Sequence, residues 1–467
     1  MIRIKRIVVK KLTRDSALSV AILACACLLG IFIEQNAYAD EADTRTIVAG
    51  ASSAPETEDW AVHGQVTNIT QKHASFSSPY SGANSLSQHG RTEETTDITF
   101  FSGVRLWRGA EFWVNSEIDQ GFGFNNTLGL AGFSNGGAYK IGENTPYFRI
   151  PRAFIRYTIP LGGDEQKNES VANQLAGMHT ADNVTLTVGK FSVVDIFDNN
   201  SYAHDPRADF LNWTLIDGGA FDYAADSWGY TFGAAAEWNQ HWWTLRAGLF
   251  QLSTIPNGKI AGVDFSENSM MIEAEARQQW FGHPGKIKLL AYENHGAMGS
   301  YKDAVLLGQQ TGTTPDTASV RRVSSRPGIV LNVEQELAAD LGAFARYSVD
   351  RGDKETYEFS DVNQSLMGGL SLKGNRWGRS DDTIGVAAVV NRISGAAQQY
   401  FEAGGLGVLI GDGQLNYAPE KILEMYYSMA VTKYGALTLD YQHVTNPAYN
   451  QDRGPVSIYG VRLHASF

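Results

Sequence analysis

The chain has almost no cysteine and, beyond its first 39 residues, no long apolar run. Its two cysteines, Cys25 and Cys27, both lie in that first segment. The rest of the sequence therefore offers no disulfide framework, cysteine nucleophile or cysteine metal site. No apolar run there approaches the ~18 residues of a membrane helix. The formal net charge is −12 and basic clusters are lacking beyond the N-terminus, which argues against nucleic-acid binding.

The N-terminus has the three parts of a secretory signal peptide. A basic segment precedes an apolar stretch at 17–33, and Ala-Tyr-Ala at 37–39 supplies an A-x-A cleavage site. Residues 1–39 are therefore predicted to be removed. Their six basic and two acidic residues carry +4, so the formal charge changes from −12 to −16. The alternative is a lipoprotein attached through either cysteine. The mature chain would then begin with apolar residues, which disfavours this alternative.

The last twelve residues alternate between two chemically different faces. The mostly polar face carries Ser466, His464, Arg462 and Gly460. The apolar face ends on an aromatic residue and consists of Phe467, Ala465, Leu463, Val461 and Tyr459. A period of two indicates a β-strand, and a strand with apolar side chains outward and polar ones inward is typical of a transmembrane β-barrel. The alternative is an amphipathic terminal strand of a soluble sheet.

About sixteen candidate strands follow one another through the chain without a composition break that would divide it into domains. Most are near the ~9–11 residues that a tilted strand needs to cross a bilayer. They lie at 60–69, 94–107, 110–119, 150–159, 183–191, 229–238, 242–252, 269–280, 286–295, 328–337, 342–350, 364–373, 383–392, 421–432, 436–445 and 456–467.

The connections between these strands alternate in length. Short ones lie at 108–109, 239–241, 281–285, 338–341 and 433–435, and long ones at 70–93, 120–149, 192–228, 253–268, 296–327 and 393–420. Short periplasmic turns and long external loops are the pattern of outer-membrane barrels, as are tryptophans beside the short turns, here Trp107, Trp238, Trp242, Trp280 and Trp377. One connection breaks the pattern, because 160–182 takes the place of a turn and is long and polar.

These observations predict an all-β fold, a transmembrane antiparallel β-barrel of about sixteen strands over residues 59–467 in the cell outer membrane. Residues 40–58, rich in small and acidic residues, are predicted to be a flexible periplasmic lead-in. A sheet in lipid must pair its own edges, and sixteen strands enclose a lumen wide enough for water. A large soluble β-sandwich or solenoid explains the alternation, but not the signal peptide, the strand parity and the terminal Phe467 together.

The inward faces predict a lumen that mixes acids, arginines and aromatic residues. The strand at 110–119 points Glu111, Trp113, Asn115, Glu117 and Asp119 inward, and the strand at 150–159 points Arg152, Phe154, Arg156 and Thr158 inward. Ion-selective pores use rings of one sign, and these faces carry both signs. Sugars need hydrogen-bonding groups for hydroxyls and flat apolar rings for C–H faces, which favours a sugar pathway over an ion filter.

The segment 189–213 is the densest functional candidate. It follows a strand, is too long for a turn, and interleaves Asp, Asn, His and Arg with Tyr, Phe and Trp. Long loops of such content are usually functional or disordered, and its aromatic residues favour order and folding into the barrel as a constriction. A Ca²⁺ site from Asp195, Asp198 and Asn200 is a weaker alternative, because the segment lacks the glycine and distal glutamate of a calcium-binding loop.

Several motifs resemble one known family. They are EIDQGFG at 117–123, GKFSVVDIFDNN at 189–200, HDPR at 204–207, DFLNW at 209–213, FDYAAD at 221–226, KG at 373–374, WGR at 377–379, DDT at 381–383, GDG at 411–413 and NPAY at 446–449. The chain resembles the carbohydrate-selective porins of Gram-negative outer membranes, the OprB-like family. This resemblance implies a sixteen-stranded barrel that admits glucose and other small sugars by passive, selective diffusion.

The sequence therefore predicts a channel rather than an enzyme, with no cofactor and no metal. A general diffusion porin or a polysaccharide exporter barrel remains the alternative. An enzyme would have to use His204 near Ser201 and Asp205, and residues adjacent in sequence rarely face one another as a catalytic triad does. The residues predicted to form the sugar-binding constriction are Glu117, Asp119, Arg152, Arg156, Asp195, Asp198, Asn199, Asn200, His204, Arg207, Asp209 and Trp213.

The predicted partners are small sugars, the lipid and lipopolysaccharide of the outer membrane, and the barrel-assembly machinery through Phe467. No nucleic acid is expected. The sequence leaves open whether the barrel is a monomer or a homo-oligomer.

Overall fold

The computed structural model describes residues 57–138, 142–359 and 361–467. The predicted signal peptide and nearly all of the lead-in lie outside these residues. The described chain is built on sixteen strands: β1 (Trp60–His73), β2 (Arg91–Trp107), β3 (Ala110–Gly121), β4 (Glu143–Asn168), β5 (Gly177–Phe191), β6 (Thr231–Gln240), β7 (Trp243–Gln251), β8 (Asn268–Trp280), β9 (His283–Gly299), β10 (Arg321–Ala338), β11 (Leu341–Asp350), β12 (Gln364–Gly374), β13 (Arg379–Arg392), β14 (Glu420–Thr432), β15 (Gly435–Thr445) and β16 (Val456–Ser466).

Each strand pairs antiparallel with its neighbours in sequence, and β16 pairs with β1 to close the barrel. The closing seam runs from Gln65 opposite Ser466 to His73 opposite Ile458. Closure satisfies every strand edge, which a bilayer requires because lipid offers no hydrogen-bond partners. The predicted sixteen-stranded barrel is confirmed, and each predicted strand overlaps one observed strand.

The two faces of the wall are chemically opposite, as the alternation predicts. On β16, Val461 is 42% and Leu463 is 53% exposed at the outer surface, whereas Arg462 between them is 1% exposed and points into the lumen. Trp107, Trp238 and Trp280 are also exposed on the outside, close to the short turns. This placement fits an interfacial aromatic girdle.

The connection that broke the predicted pattern consists mostly of strand. β4 and β5 continue their pairing past Pro160 and Asn183 until Asn168 faces Gly177, with irregular register around Gly162. Only residues 169–176 connect them, and we call this connection the strap. The extended part of β4 is exposed on both faces, so it carries no apolar alternation, and for that reason the sequence suggests a loop.

The external loops contain the helices: α1 (Trp213–Ile216), α2 (Tyr301–Thr311) and α3 (Gly395–Glu402). None of the helices in the described part of the chain has the length and apolar character needed to cross a membrane. The loop that matters most for the lumen is the third, residues 192–230, called L3 below. It includes α1 and connects β5 to β6.

Candidate functional site in the lumen

L3 folds into the barrel. Its large apolar side chains are buried, with Phe197, Phe210 and Leu215 0% exposed and Phe221 1% exposed. Phe210 packs its ring 5.0 Å from the ring of Tyr426 on the wall strand β14. Burial of aromatic side chains is strongly favourable, so the aromatic content of L3 draws the loop inward instead of leaving it in external water.

Buried acids within L3 hold the loop in one shape. The Asp198 carboxylate accepts hydrogen bonds from the Gly218 N–H at 2.7 Å, the Asn332 amide at 2.7 Å and the Arg346 guanidinium at 3.1 Å. Asp198 is 0% exposed. One carboxylate thus connects the two arms of L3 to strands β10 and β11, and its charge is compensated by Arg346.

A second buried acid repeats this arrangement further along L3. The Asp222 carboxylate accepts from the Arg326 guanidinium at 2.5 Å and from the backbone N–H groups of Tyr357 and Glu358 at 2.6 and 2.8 Å. Arg326 also donates to Asp350 at 2.7 Å. Asp222 therefore links L3 to β10 and to the loop that precedes β12.

Carboxylates on the wall also accept hydrogen bonds from the L3 backbone. Glu273 on β8 accepts from the Asp198 N–H at 2.8 Å, and Glu334 on β10 accepts from the Ser201 N–H at 2.8 Å. Glu424 on β14 accepts from the N–H groups of Leu211 and Asn212 at 2.5 and 2.9 Å. Backbone groups buried in a lumen need such partners.

Arginines and aromatic rings lie side by side where L3 approaches β2, β3 and β4. Arg152 on β4 forms a bidentate pair with Asp195, at 2.8 and 2.6 Å. Its guanidinium carbon lies 4.8 Å from the centre of the Tyr230 ring. Arg207 of L3 donates to Asp97 on β2 at 2.9 Å. The carboxylates neutralise these cations and hold the guanidinium planes in place.

Arg149 joins this cluster and was missed from the sequence. Strict alternation puts position 149 on the face opposite Arg152, hence in lipid. The pairing shifts between β3 and β4, so that Arg152 faces Asn115 while Arg149 faces Glu117. This bulge turns both guanidiniums inward, and Arg149 forms ion pairs with Glu117 and Asp119. Pro151 was the available signal, because proline inside a strand marks a bulge or an edge.

Two cavities lie on either side of L3. The external cavity, about 190 Å³, is lined by Arg152, Asp195, His204, Arg207, Trp213 and Tyr230 among others. The periplasmic cavity, about 390 Å³, is lined from above by L3, including Arg207 and Asp209, and from the sides by residues of β10 to β16. Arg207 belongs to both linings, so it lies at the junction between the two spaces.

One titratable pair in L3 faces the external cavity. The His204 Nδ1 lies 3.6 Å from the Asp217 carboxylate. Burial lowers the pKa of His204, but the adjacent Asp217 outweighs this effect and the pKa is raised overall. Burial also raises the pKa of Asp217, with His204 opposing the rise. Both groups therefore hold a proton more tightly than they would in water.

The structure distributes the predicted constriction residues over several roles. Five of them, Arg152, Asp195, His204, Arg207 and Trp213, line the external cavity, and Asp209 lines the periplasmic cavity. Glu117 and Asp119 are buried beneath this group and contact Arg149, and Glu117 also lies 3.8 Å from Arg207.

The remaining predicted residues line neither cavity and contact other parts of the protein. Asp198 and Asn200 are buried and bind Arg346 and Asn332, and Asn199 accepts from Lys288 on β9. Arg156 lies elsewhere in the lumen, because it donates to the Asn173 carbonyl of the strap at 2.7 Å. Arg156 lines neither the external nor the periplasmic cavity.

The alternative chemistries considered for this loop find their residues engaged elsewhere. Asp195, Asp198 and Asn200, the candidate calcium ligands, bind Arg152, Arg346 and Asn332 respectively. The residues described in the structure include no group of three or more His, Cys, Asp or Glu that could hold a metal ion.

The residues of the considered triad are likewise separated. The Ser201 hydroxyl donates to Glu334 at 2.9 Å, and His204 pairs with Asp217. The loop therefore does not assemble Ser201, His204 and Asp205 as a nucleophile, base and acid.

Comparison with known proteins gives one family match. Residues 83–467 match the family described as carbohydrate-selective porin, OprB family. No curated protein sequence matches the chain.

Comparison with solved structures gives several similar chains. The high-pH structure of OprB from Pseudomonas putida is 16% identical with a TM-score of 0.66, covering 88% of this chain and 94% of that chain. The anion-selective porin from Comamonas acidovorans is 10% identical with a TM-score of 0.49, covering 88% and 100%. The outer-membrane channel DcaP of Acinetobacter baumannii is 11% identical with a TM-score of 0.48, covering 88% and 97%.

Proposed function

We propose, from the premise that this chain belongs to the OprB family of carbohydrate-selective porins, that L3 forms the sugar-selective constriction of its pore. The protein is an outer-membrane porin for carbohydrates, as the family match states. The proposal concerns which residues select the sugar and how. It rests chiefly on one observation: Arg207 lies at the junction of the external and periplasmic cavities.

The side chains around this junction match the chemistry of a sugar. Arg152 and Arg207 line the external cavity with guanidinium N–H donors, and Asp195 and Asp205 line it with carboxylate oxygens. A sugar hydroxyl can accept hydrogen bonds from these arginines and donate to these carboxylates. Tyr230 and Trp213 line the same cavity, where the small exposed parts of their rings can contact sugar C–H groups.

The paired charges also explain a preference for neutral solutes. Every arginine in this cluster has a carboxylate partner, so the junction is not a ring of one sign such as ion-selective pores use. A sugar exchanges hydrogen bonds with water for hydrogen bonds with the wall at each step. Contacts of this kind are weak and numerous, which permits both entry and exit.

Diffusion through such a pore needs no moving part. L3 is held by buried carboxylates at Asp198 and Asp222 and by wall carboxylates that accept its backbone N–H groups. A constriction fixed in this way selects passively, by size and by hydrogen bonding. This favours sugar-selective diffusion over a general porin, whose rates depend on size alone, and over an exporter for long polymers.

The test is swelling of liposomes that carry the refolded protein, with glucose, a disaccharide and an amino acid of glucose-like size. The parent should admit glucose faster than the amino acid. Arg207→Ala should bring the two rates together, because the junction loses its donor. Arg376→Ala is the matched control, since Arg376 is exposed on a short turn and pairs with Asp340. An unchanged glucose preference in Arg207→Ala would place the selective step elsewhere.

We further propose that residues 1–39 are cleaved, that 40–58 is a periplasmic lead-in and that Phe467 is read by the assembly machinery. The Phe467 N–H donates to the Gly64 carbonyl at 3.0 Å, while its side chain stays 68% exposed on the outside of the barrel. Mass spectrometry of the purified protein tests the cleavage site. Phe467→Ala tests the recognition, and we expect less assembled barrel in the membrane at equal synthesis.

A further inference from the structure

The strap, residues 169–176, turns back toward the barrel from the end of the extended β4–β5 hairpin. Its carboxyl-terminal part is buried, with Leu175 1% exposed. Leu175 belongs to the same buried apolar cluster as Ala61, Phe101 and Trp113, which are inward residues of β1, β2 and β3. The strap therefore packs against the inner surface of the wall and is not a free tail in the periplasm.

Polar contacts fix the strap to the same side of the lumen. Arg105 on β2 donates to the Ala176 carbonyl at 3.0 Å, and Arg156 on β4 donates to the Asn173 carbonyl at 2.7 Å. The Ser170 hydroxyl lies 3.2 Å from the His63 ring on β1. The inward side chains of three wall strands thus contact three positions of the strap.

The chain that precedes β1 completes this arrangement. The Glu58 N–H donates to the Ala176 carbonyl at 3.2 Å, and the Glu58 carboxylate accepts from the Ala176 N–H at 2.8 Å. The Arg105 Nε also donates to the Glu58 carbonyl at 2.8 Å. The strap thus bridges from the β4–β5 hairpin across the inner surface to the start of β1.

The periplasmic cavity lies on the other side of the barrel. The periplasmic cavity below L3 is lined by residues of β10, β11, β12, β13, β14, β15 and β16, with L3 above it. None of its lining residues comes from the strap or from β1 to β5. The contacts of the strap and the lining of the cavity are independent observations, and they agree. The strap occupies one half of the periplasmic mouth, and the cavity lies in the other half.

We propose that the strap is a second selectivity element, a fixed wedge that narrows the periplasmic exit to the β10–β16 side and so limits the size of the sugar that leaves the pore. L3 discriminates by chemistry at the junction of the cavities, and the strap restricts by size at the exit. The proposal goes beyond the function assigned to L3 and does not depend on the role of Arg207.

The test replaces residues 169–176 by Asn-Gly. Asn168 and Gly177 face each other in the register, and a two-residue Asn-Gly turn joins paired antiparallel strands without strain. Single-channel conductance in planar bilayers and liposome swelling with glucose, a disaccharide and a trisaccharide are measured. We expect higher conductance and a rise in trisaccharide entry relative to glucose. Unchanged conductance and an unchanged size series in a folded barrel would overturn the proposal.

A second variant keeps the strap at full length. Glu58→Ala with Leu175→Ser removes the side chain that accepts from the Ala176 N–H and the buried apolar side chain, and the hairpin stays intact. We expect a smaller rise in conductance and more open-channel noise. If the shortened protein does not fold, this variant tests the proposal instead. Conductance and noise equal to those of the parent would contradict the proposal that the strap narrows the exit.

The two selectivity elements fail in different ways. If the strap is the wedge, both strap variants keep the preference for glucose over an amino acid of similar size, because the L3 junction is untouched. Arg207→Ala loses that preference while the strap remains in place. A strap variant that loses the glucose preference without admitting larger sugars would overturn the separation of roles proposed here.

Discussion

L3 and the strap both fold into the lumen, and they are held there by different means. L3 is long and is fixed by buried acids such as Asp198 and Asp222, which bind arginines of the opposite wall. The strap is short, contacts one side only, and relies on a single buried leucine and a few hydrogen bonds. A long loop loses more conformational freedom when it docks, so it needs more and stronger contacts.

The difference also predicts how each segment fails. A buried ion pair adds little net stability, because desolvation offsets the attraction, but removing one partner leaves an uncompensated charge and is strongly destabilising. Substitution of a buried acid in L3 should therefore lower the stability of the whole barrel. Damage to the strap should stay local, since the strands on either side of it keep their pairing.

The largest effect is expected for Asp222→Ala. Arg326 is 0% exposed and loses one of its two carboxylate partners, so we expect about 3 kcal/mol of destabilisation. The measurement is the urea midpoint of the refolded protein. Asp264→Ala is the matched control, because Asp264 is exposed and its carboxylate accepts from the nearby Ser266 N–H at 2.9 Å without a buried cationic partner. Similar midpoints for both variants would show that L3 does not depend on buried charge.

A variant on the outer wall separates loop effects from barrel effects. Val461 lies in the middle of β16 and is exposed on the lipid side, so Val461→Arg should cost about 2–4 kcal/mol. Leu463→Arg, closer to the strand end, should cost less. Conductance of the channels that do assemble should equal that of the parent, because neither residue faces the lumen. A changed conductance would mean that the two faces are assigned in reverse.

The strap should respond more weakly than L3. Leu175→Ala removes a buried leucine, which costs about 2 kcal/mol at the low end of such changes, and the loss should appear as local opening. We expect faster proteolysis within 169–176 and almost no shift in the global urea midpoint. Val171→Ala is the control within the same segment, since Val171 is 48% exposed. A large global shift for Leu175→Ala would make the strap part of the barrel's core.

The smallest effect concerns pH. The pKa of His204 is raised in the folded loop, mainly because Asp217 outweighs the effect of burial, with Asp205 adding to the rise and Arg346 opposing it. A raised pKa stabilises the loop fully below the unfolded value of about 6.5 and loses that contribution as pH rises through the folded value. Asp217, whose pKa burial raises, acts in the same direction.

Open-channel noise should therefore increase as pH rises above about 6.5, and His204→Gln should weaken this dependence. His89→Gln is the control, because His89 is exposed in another external loop. If His204→Gln keeps the pH dependence of the parent, the His204–Asp217 pair does not cause the change in L3.

The barrel could be predicted from the sequence because a wall between lipid and water imposes a period of two. For that reason Leu463 lies on the lipid face of the wall and Arg462 on the lumen face. Many such alternating pairs allowed the sixteen strands to be predicted. Beyond the membrane this constraint ends. The periplasmic part of the β4–β5 hairpin has water on both sides, so its sequence resembles a loop and the strap could not be recognised.

Residue roles inside the lumen were only partly predictable. The aromatic and polar content of 189–213 indicated L3 as a functional segment. Asp195 and Asp198 are the same residue type in the sequence, and only the fold shows that Asp195 lines a cavity whereas the buried Asp198 carboxylate holds the two arms of L3 together. Arg149 was hidden by a bulge that breaks the alternation. Asp222 was noted only within a motif, since its partner Arg326 lies far along the chain.

Arg462 on the last strand donates to the carbonyls of Pro206, Ala208 and Asp209 in the middle of L3, at 2.7, 2.9 and 2.8 Å. L3 is thus synthesised long before the strand that secures it. Until β16 pairs with β1, these three carbonyls lack their partner, and the same step that joins the seam completes the docking of the loop. Contacts so distant in sequence form late, so L3 completes its docking in the lumen only when the barrel is closed.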